Sequence, residues 1–490
     1  MHWVRQGYCK LAFQLRADPR SNPPRGRSRL PAASVSDNSE EQDQTTADPL
    51  NLRVESKRIL FATIGSLGDL HPCIGLALEL RRRGHQATIA STEYYRRQVE
   101  NLGIGFHPVR PDWDPTDPEI IRQCEDLKRG PEILFRKLVL PHLPDTYHDL
   151  LEAAAGADMM IAGELNYAAP LVAERLSLLW ASAILSPASF LSAHDPSITV
   201  NAPWLIHVRK AGWPAYRAVM NAGRLGTRHW WNPVRKLRRQ LGLRRACDPL
   251  FRDKFSPHMV LALFSPALAT SQPDWPVATL QPGFVFFDHP ASGREADAQL
   301  EEFLAPVDPP IVFTQGSTAV HAPGNFYQVS AEAARRLGRR ALLVGTAAAP
   351  GEPSPHIRAL RYAAYSTIFP RAAVNVHQGG SGTVGQALRA GRPQLIVPFG
   401  WDQPDNAARV ERLGAGIHLP RSAYTVSSAA AALERLLLAA QFGEKAARLG
   451  AQIQAEDGLV AACNAIESLL SNTAAETPDR PGFQTAMHPG

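Results

Sequence analysis

A glycine-rich segment late in the chain has the residue types of an anion-binding loop. The run 376–383 reads VHQGGSGT and stands between an apolar stretch and a helix-forming stretch. Glycines let a backbone approach a bulky anion, and the start of a helix offers free N–H groups and a positive dipole end. We predict a phosphate cradle formed by Gly379, Gly380, Ser381, Gly382 and Thr383, with a further donor from His377. The alternative is an ordinary turn whose glycines serve packing.

A carboxylate and an amide follow the next apolar stretch. Asp402 and Gln403 come after Gln394–Pro398, so they would lie at the carboxyl end of a strand beside the glycine loop. A carboxylate accepts hydrogen bonds and an amide both donates and accepts, which suits neighbouring hydroxyls of a sugar. Taken alone, DQPDN also fits an Asx-rich turn.

A second candidate site lies early in the chain, in the run GSLGDLHP over residues 65–72. Asp69 and His71 are both residue types that could take a proton from a substrate hydroxyl. The structural alternatives are an N-cap role for Asp69 and a loop position for His71.

Alternating strand and helix patterns place these motifs. The first series is a strand over Arg58–Ile64, a helix over Pro72–Arg83 and a strand over Gln86–Ser91. The second series has strands over Pro310–Thr314, Arg340–Gly345, Ala373–His377 and Gln394–Pro398, with a helix over Asn325–Leu337. These patterns predict an α/β fold of two Rossmann-like, doubly wound domains that face a cleft, with ligands at the carboxyl ends of the strands.

Composition changes suggest where the domains begin and end. Residues 1–57 are polar with few apolar positions, and residues 472–490 are similar, so both are predicted to be disordered. We predict an N-terminal domain over 58–285, a Pro/Gly-rich linker over 286–309 and a C-terminal domain over 310–471.

The overall composition excludes several classes of protein. The chain has 490 residues, 44% hydrophobic and 20% charged, which indicates a sizeable folded core. A net charge of +6 is too small for a dedicated nucleic-acid binder. The cysteines form no CxxC pair, so no cysteine metal site is predicted. Neither a membrane span nor a convincing signal peptide is visible, and a cytoplasmic protein is predicted. A transit peptide is the alternative for the Arg-rich N-terminus.

The glycine loop and the Asp-Gln pair, at this spacing, resemble the donor site of the family 1 glycosyltransferases with the GT-B fold. The resemblance implies an inverting, metal-independent transfer of a sugar from a nucleotide-sugar, which acts as co-substrate with no other cofactor. It assigns the diphosphate to His377 and the glycine loop, and the sugar to Asp402 and Gln403.

The same resemblance implies which residue acts as the general base that takes the proton of the acceptor hydroxyl. Many relatives have a histidine three residues before the proline that opens the helix, where this chain has Asp69. The GS-x-GD pattern is similar to that of a bacterial branch of the family, which includes sterol and macrolide or glycopeptide glycosyltransferases. Asp69 therefore inherits the base role, with His71 as the alternative and Glu164 as the equivalent of a supporting carboxylate. An ordinary aspartate is a weak base near neutral pH, so a raised pKa or a partner is expected.

Three further segments resemble the rhamnosyltransferases of rhamnolipid synthesis: 186–195, 272–276 and 312–318. This likeness suggests a lipid-type acceptor and dTDP-rhamnose as donor. It places Gly316, Ser317 and Thr318 at the donor phosphates or the acceptor side of the cleft, and Tyr365 where relatives hold the nucleotide base. Plant relatives have a tryptophan near that position, and its absence here weakens UDP and leaves dTDP open.

The segment 196–247 is strongly basic. It has no Asp or Glu, eleven Lys or Arg, and four tryptophans. Such a surface suits peripheral contact with an anionic membrane, at the inner face in a cytoplasmic protein. The alternative is a solvated helix face whose tryptophans belong to the core.

Two other functions fit the motifs. A nucleotide-sugar 2-epimerase of the same fold would need no acceptor. A degenerate, non-catalytic partner subunit of a glycosyltransferase would lack activity, although the presence of Asp69, His377, Asp402 and Gln403 argues against it.

Overall fold

Two parallel β-sheets organise the chain. The computed structural model describes residues 55–126, 128–198, 204–244, 248–288 and 294–476. The predicted disordered segments at the two ends lie outside the described residues, except for 55–57 and 472–476.

The first sheet has seven strands, all paired in parallel. They are β1 (Arg58–Ala62), β2 (Gln86–Ser91), β3 (Gly105–Pro108), β4 (Met159–Gly163), β5 (Leu179–Ile184), β6 (Met259–Ala262) and β7 (Thr279–Leu280). Their spatial order is β3-β2-β1-β4-β5-β6-β7. The order reverses direction between β1 and β4, which is where a doubly wound sheet opens a crevice at its carboxyl edge.

The second sheet has six strands and the same parallel arrangement. They are β8 (Ile311–Thr314), β9 (Ala341–Val344), β10 (Ile357–Leu360), β11 (Val374–His377), β12 (Gln394–Ile396) and β13 (Gly416–His418). The order β10-β9-β8-β11-β12-β13 puts the switch between β8 and β11. The predicted fold class of two doubly wound α/β halves is confirmed.

Helices cover both faces of each sheet, as the parallel pairing requires. They are α1 (Leu67–Arg82), α2 (Arg96–Glu100), α3 (Pro118–Cys124), α4 (Gly130–Ile133), α5 (Leu143–Ala153), α6 (Ala169–Leu176), α7 (Leu205–Arg209), α8 (Trp213–Thr227), α9 (Asn232–Gln240), α10 (Arg294–Leu304), α11 (Phe326–Arg336), α12 (Tyr365–Ile368), α13 (Ser381–Arg389), α14 (Gln403–Leu413), α15 (Val426–Leu438), α16 (Ala440–Gln454) and α17 (Gly458–Glu476).

The last helix returns to the first sheet. Ala462, Cys463, Ile466 and Leu470 of α17 are buried in the core that α1 shares with β1 and β2. Glu467 pairs with Arg83 beside them. By its contacts, α17 therefore belongs with the first sheet, whereas the predicted boundaries placed it with the second. An apolar helix face does not by itself specify which sheet it covers, and this is why the sequence pattern missed the return.

The predicted linker also contains regular structure. Helix α10 lies within 286–309, and its Leu300, Phe303 and Leu304 pack in the core of the second sheet. The linker is therefore shorter than predicted, because part of it is amphipathic helix.

The two halves meet through a shared apolar cluster. Phe264 and Trp275, beyond β6, pack in one cluster with Val384 of α13 and Ile396 of β12. Phe284 lies so close to α13 that a Cβ atom on Gly385 would come within 2.8 Å of its ring. This contact fixes one end of the cleft between the sheets.

Candidate active site

The turn after β1 delivers a carboxylate to the cleft. The side chain of Ser66 caps α1, and Asp69 returns a hydrogen bond to the cap in a reciprocal arrangement. Asp69 Oδ2 accepts from the Ser66 N–H at 2.8 Å and lies 3.2 Å from Ser66 Oγ. At Gly65, with a φ of +140°, a Cβ atom would come within 2.3 Å of that same oxygen, so a glycine is needed here.

This cap corrects the predicted start of the helix. The helix was expected to begin at Pro72, but it begins at Leu67 and Pro72 lies inside it. Asp69 is accordingly in the first turn of α1 and is not its N-cap. The hydrogen bonds of the Ser66 and Asp69 side chains to backbone N–H groups allow the helix to begin five residues before the proline that was taken as its start.

The pKa of the Asp69 carboxyl is raised by its surroundings. Burial raises its pKa to about 7, and the charges of Glu164 and Asp402 add to the increase, while the hydrogen bonds from Ser66 oppose it. Near neutral pH the carboxyl is thus available both as a carboxylate and as an acid. His71, two residues further, packs edge-on against Phe287 with ring centroids 5.3 Å apart.

Glu164 lies at the carboxyl end of β4. Its Oε1 accepts from Ser189 Oγ at 2.8 Å, and its Oε2 lies 3.3 Å from Nζ of the buried Lys254. These hydrogen bonds fix Glu164 in place, and it acts on Asp69 through its charge.

The glycine loop connects β11 to α13. Gly379 has a φ of +95°, and a Cβ atom there would come within 2.8 Å of Ile396 and 3.1 Å of the Gln403 carbonyl oxygen. Gly380 is the N-cap of α13, so the N–H groups of its first turn begin at Ser381. A Cβ atom on Gly382 would meet nothing within 4 Å. The loop therefore presents helix N–H groups beside open space.

His377 ends β11 as predicted, but its side chain is used inside the protein. The residue is fully buried, and its Nδ1 accepts from the Gly379 N–H at 3.1 Å. Its Nε2 is then the donor to Gln394 Oε1, at 2.9 Å. Burial lowers the pKa of His377 to about 4, so the ring is neutral. His377 holds the loop and does not present the donor that was predicted, because both nitrogens are used inside the protein.

Asp402 and Gln403 lie at the start of α14, against the glycine loop. Asp402 Oδ2 accepts from Ser381 Oγ at 2.7 Å and from Asn406 Nδ2 at 2.8 Å. Burial raises the pKa of Asp402. Gln403 Oε1 accepts from the Phe399 and Gly400 N–H groups, which leaves its amide nitrogen as the donor end.

Asn406 was missed by sequence reasoning. Its Nδ2 also donates to the Gly379 carbonyl oxygen at 2.9 Å, so it ties α14 to the glycine loop. The one signal in the sequence was its spacing of one helical turn from Asp402, which places both side chains on one helix face.

The loop after β8 meets the glycine loop from the other side. Thr314 Oγ1 lies 2.9 Å from the Tyr365 hydroxyl. Gly316 has a φ of +67°, and a Cβ atom there would come within 2.0 Å of Gln378 Nε2. Gln378, also missed from the sequence, is buried between these loops.

Tyr365 also contacts the glycine loop, because its hydroxyl is hydrogen-bonded to the side chain of Thr383. The Tyr365 ring stacks on Phe369 with centroids 4.4 Å apart, so one of its faces is covered. Ser317 and Thr318 continue the β8 loop up to a short 3₁₀ helix, Ala319–His321.

The basic segment divides into paired and exposed residues. Arg224 pairs with Asp248, and Arg238 pairs with Glu174. Trp231 is buried and Trp230 packs beside it in the core. Trp204 and Trp213 are about half exposed, at 53% and 47%. The side chain of Arg209, together with Arg245 and Cys247, lies outside the described residues.

Neither a membrane span nor a metal cluster is found in the part of the chain that the structure describes. No helix there is long and apolar enough to cross a membrane. No three His, Cys, Asp or Glu side chains there are grouped so as to hold a metal ion.

Two family models match the chain. Residues 59–189 match the glycosyltransferase family 28 N-terminal domain. Residues 346–463 match the C-terminal domain described as erythromycin biosynthesis protein CIII-like. The two matches cover the β1–α1 turn and the glycine loop with Asp402 and Gln403, respectively.

Characterised proteins are similar over most of the chain. O-mycaminosyltylonolide 6-deoxyallosyltransferase of Streptomyces fradiae is 32% identical over 446 residues, which is 86% of this chain and 100% of the relative. The solved structure of the spinosyn forosaminyltransferase SpnP has a TM-score of 0.64 at 19% identity, covering 85% of this chain and all of that one. The structure of glycosyltransferase VinC in complex with dTDP has a TM-score of 0.57 at 20% identity, with the same coverage of 85% and 100%. The fold of these structures is the one described above.

Proposed function

The chain belongs to the GT-B glycosyltransferases, in the branch of families 1 and 28 with erythromycin protein CIII-like members, and we propose that it glycosylates an apolar hydroxylated acceptor. The donor is a nucleoside diphosphate sugar carrying a hexose or deoxyhexose. The transfer inverts the sugar carbon and needs no metal.

One observation carries the proposal. Asp69, from the first sheet, and Asp402, from the second, are near enough that the charge of Asp402 raises the pKa of Asp69. Asp402 in turn is bonded to Ser381 in the glycine loop. These contacts support a cleft in which Asp69 would act as the base, Asp402 would bind the sugar and the glycine loop would hold the diphosphate. The first-sheet half would bind the acceptor and the second-sheet half the donor.

The chemistry follows from these positions. The Asp69 carboxylate takes the proton of the acceptor hydroxyl while its oxygen attacks C1 of the donor sugar. The bond from C1 to the diphosphate oxygen breaks, and its electron pair leaves with the nucleoside diphosphate. The N–H groups and positive dipole end of α13 stabilise the charge that develops there. Asp402 and Gln403 orient the sugar hydroxyls.

The identities of the donor nucleotide, the sugar and the acceptor are proposed from similarity to the named proteins. VinC was solved with dTDP, and the Streptomyces fradiae relative is named as a 6-deoxyallosyltransferase acting on a tylonolide. We therefore favour dTDP over UDP, a deoxyhexose, and a macrolide-like acceptor, with sterols and hydroxylated lipids as the further acceptors to test.

Calorimetric titration of the full chain with dTDP and with UDP, without metal, tests the donor site. We expect dTDP to bind more tightly.

Asp402→Asn and Gln403→Ala should raise the donor KM or abolish transfer, and wild-type kinetics in both would contradict the assignment. Sugar interconversion with donor alone would indicate the epimerase, and a folded chain that binds neither nucleotide would indicate the non-catalytic subunit.

Membrane contact by the basic segment stays a prediction. Exposed Trp204 and Trp213 lie near exposed Lys210 and Arg217, a combination that favours anionic lipid. The wild type should sediment with phosphatidylglycerol vesicles, and a Trp204→Ser/Trp213→Ser variant should stay in the supernatant. Neither protein should sediment with phosphatidylcholine vesicles. Equal sedimentation of both variants would leave these tryptophans without a role at membranes.

A further inference from the structure

Arg409 is a buried arginine that joins the two halves of the molecule. It lies on α14 and is 2% exposed. Its Nε donates to Asp405 Oδ2 at 2.7 Å, one turn back on the same helix. Its Nη1 donates to Asp195 Oδ2 at 2.5 Å, in the segment that follows β5 of the first sheet. A guanidinium removed from water needs such partners, so both carboxylates are held firmly to it.

The segment around Asp195 is anchored at both ends. The Ile198 N–H donates to Asp405 Oδ1 at 2.9 Å, which is a second bond to α14. At the other end, Ser192 Oγ donates to Asp274 Oδ1 at 2.6 Å. The segment 192–198 therefore spans from the first half to the donor-side helix.

This same segment supports α7 and α8. Ala193 forms a small buried cluster with Leu205 and Tyr216 from those helices. The Tyr216 hydroxyl also lies 3.5 Å from the Ser197 carbonyl oxygen. Most other positions of α8 are exposed, so this contact with segment 192–198 and the pair of Arg224 with Asp248 are what hold the helix.

The helix at the other end of the link carries the donor-side groups. Asp402 and Gln403 begin α14, and Asn406 ties its first turn to the Gly379 carbonyl oxygen. Asp405 lies in that same first turn. A helix moves as a stiff unit, so a shift of its sugar-facing end also moves Asp405 and Arg409.

We propose that Asp195 and Arg409 are positioning residues that couple occupancy of the donor site to the placement of α7 and α8 on the acceptor side. This inference rests on the proposed function, because it requires a nucleotide-sugar at the start of α14. Coupling of this kind needs an element on which both sites act, and the α14–Asp195 connection supplies one.

Hydrogen exchange on the full chain tests the coupling, with dTDP-glucose as the probe. In the wild type, saturating dTDP-glucose should slow exchange in peptides from 204–227 by about fivefold or more, the usual lower range of such couplings. Asp195→Asn removes the negative charge that pairs with Arg409, and it leaves both Asp405 on Arg409 and the Ile198 bond to Asp405 in place. It should lose this slowing while binding dTDP-glucose within about threefold of the wild type.

The control is Glu301→Gln, which breaks an ion pair with Arg371 inside the second half. It should behave as the wild type does. Slowing that persists in Asp195→Asn, or a wild type that binds dTDP-glucose without slowing, would overturn the coupling. A wild type that binds neither dTDP-glucose nor UDP-glucose would instead contradict the proposed function. Should Asp195→Asn not fold, Arg409→Lys, which keeps the charge and loses the second donor arm, is judged by the same two readouts.

Discussion

Asp69 shows how a single carboxyl group is adjusted by opposing contacts. Two hydrogen bonds from Ser66 stabilise its charged form, while burial and the charges of Glu164 and Asp402 disfavour it. Burial and the like charges outweigh the hydrogen bonds, since the resulting pKa of Asp69 is about 7. A residue that takes part in a helix cap thereby acquires a pKa that suits the proposed role of a base near neutral pH.

Replacing the base should remove most of the activity. Asp69→Asn keeps the shape of the cap but cannot take a proton, so we expect kcat to fall by about 10² to 10⁴ with little change in dTDP affinity. Initial rates and calorimetry measure the two effects. The control Asp117→Asn alters the N-cap of α3 and should leave kcat unchanged. A fully active Asp69→Asn would transfer the base role to His71.

The rate should depend on pH in one direction. Below the pKa of Asp69, about 7, the carboxyl is protonated and kcat/KM falls, whereas above it kcat/KM reaches a plateau. Glu164→Gln removes a negative charge that raises this pKa, so its profile should shift to lower pH. The exposed control Glu434→Gln should not shift it. A shift to higher pH in Glu164→Gln would contradict the electrostatic role given to Glu164.

At the scale of elements, the glycine loop is a strand-to-helix junction held by three neighbours. The His377 ring accepts a hydrogen bond from the Gly379 N–H, and Asn406 donates one to the Gly379 carbonyl oxygen. Asp402 accepts a hydrogen bond from the Ser381 hydroxyl. The N–H groups of α13 are therefore oriented before any ligand arrives. Such preorganisation is what makes a helix terminus effective against developing negative charge.

Two glycines of this loop should respond differently to alanine. Gly379→Ala combines a left-handed backbone, φ +95°, with a contact of 2.8 Å to Ile396. It should cost about 1–2 kcal/mol from the backbone alone. Gly382→Ala meets open space and should leave the unfolding midpoint intact or raise it. In the proposed phosphate cradle its methyl group would crowd the diphosphate, so we expect weaker dTDP binding. Unchanged dTDP affinity in Gly382→Ala would remove Gly382 from the site.

At the scale of the whole molecule, the two halves are joined in more than one way. An apolar cluster packs beyond β6, α17 returns from the second half to the first sheet, and Arg409 bridges the halves at the cleft. The first two contacts fix the halves together, and the third lies next to the candidate active site.

The return helix makes a testable contribution to stability. Ile466 is fully buried against the first sheet, so Ile466→Ala should lower the free energy of unfolding by about 2–5 kcal/mol. Leu438→Ala, at a residue 77% exposed, should stay within about 0.5 kcal/mol of the wild type. Chemical denaturation followed by circular dichroism measures both. An Ile466→Ala variant as stable as the control would contradict the packing of α17.

Local sequence signals predicted strands β1, β2, β8, β9, β11 and β12, the glycine loop between β11 and α13, and the place of Asp402 and Gln403 beside that loop. These features depend on apolar runs, glycines and spacing, which act over a few residues. The same signals determined the fold class, because alternating strands and helices allow few topologies. They also placed this chain with the glycosyltransferases.

The tertiary structure alone decided how the site is arranged. In the folded chain α1 begins at Leu67, and both ring nitrogens of His377 are hydrogen-bonded within the protein. Glu164 and Asp402 lie near enough to Asp69 to raise its pKa. The contacts of Asn406 and Arg409 are also seen only there. Each of these depends on which groups meet across large sequence separations, and on the water that burial removes. A pattern of residues along a chain contains neither, and so the pKa of Asp69 and the bridge at Arg409 could be seen only in the folded molecule.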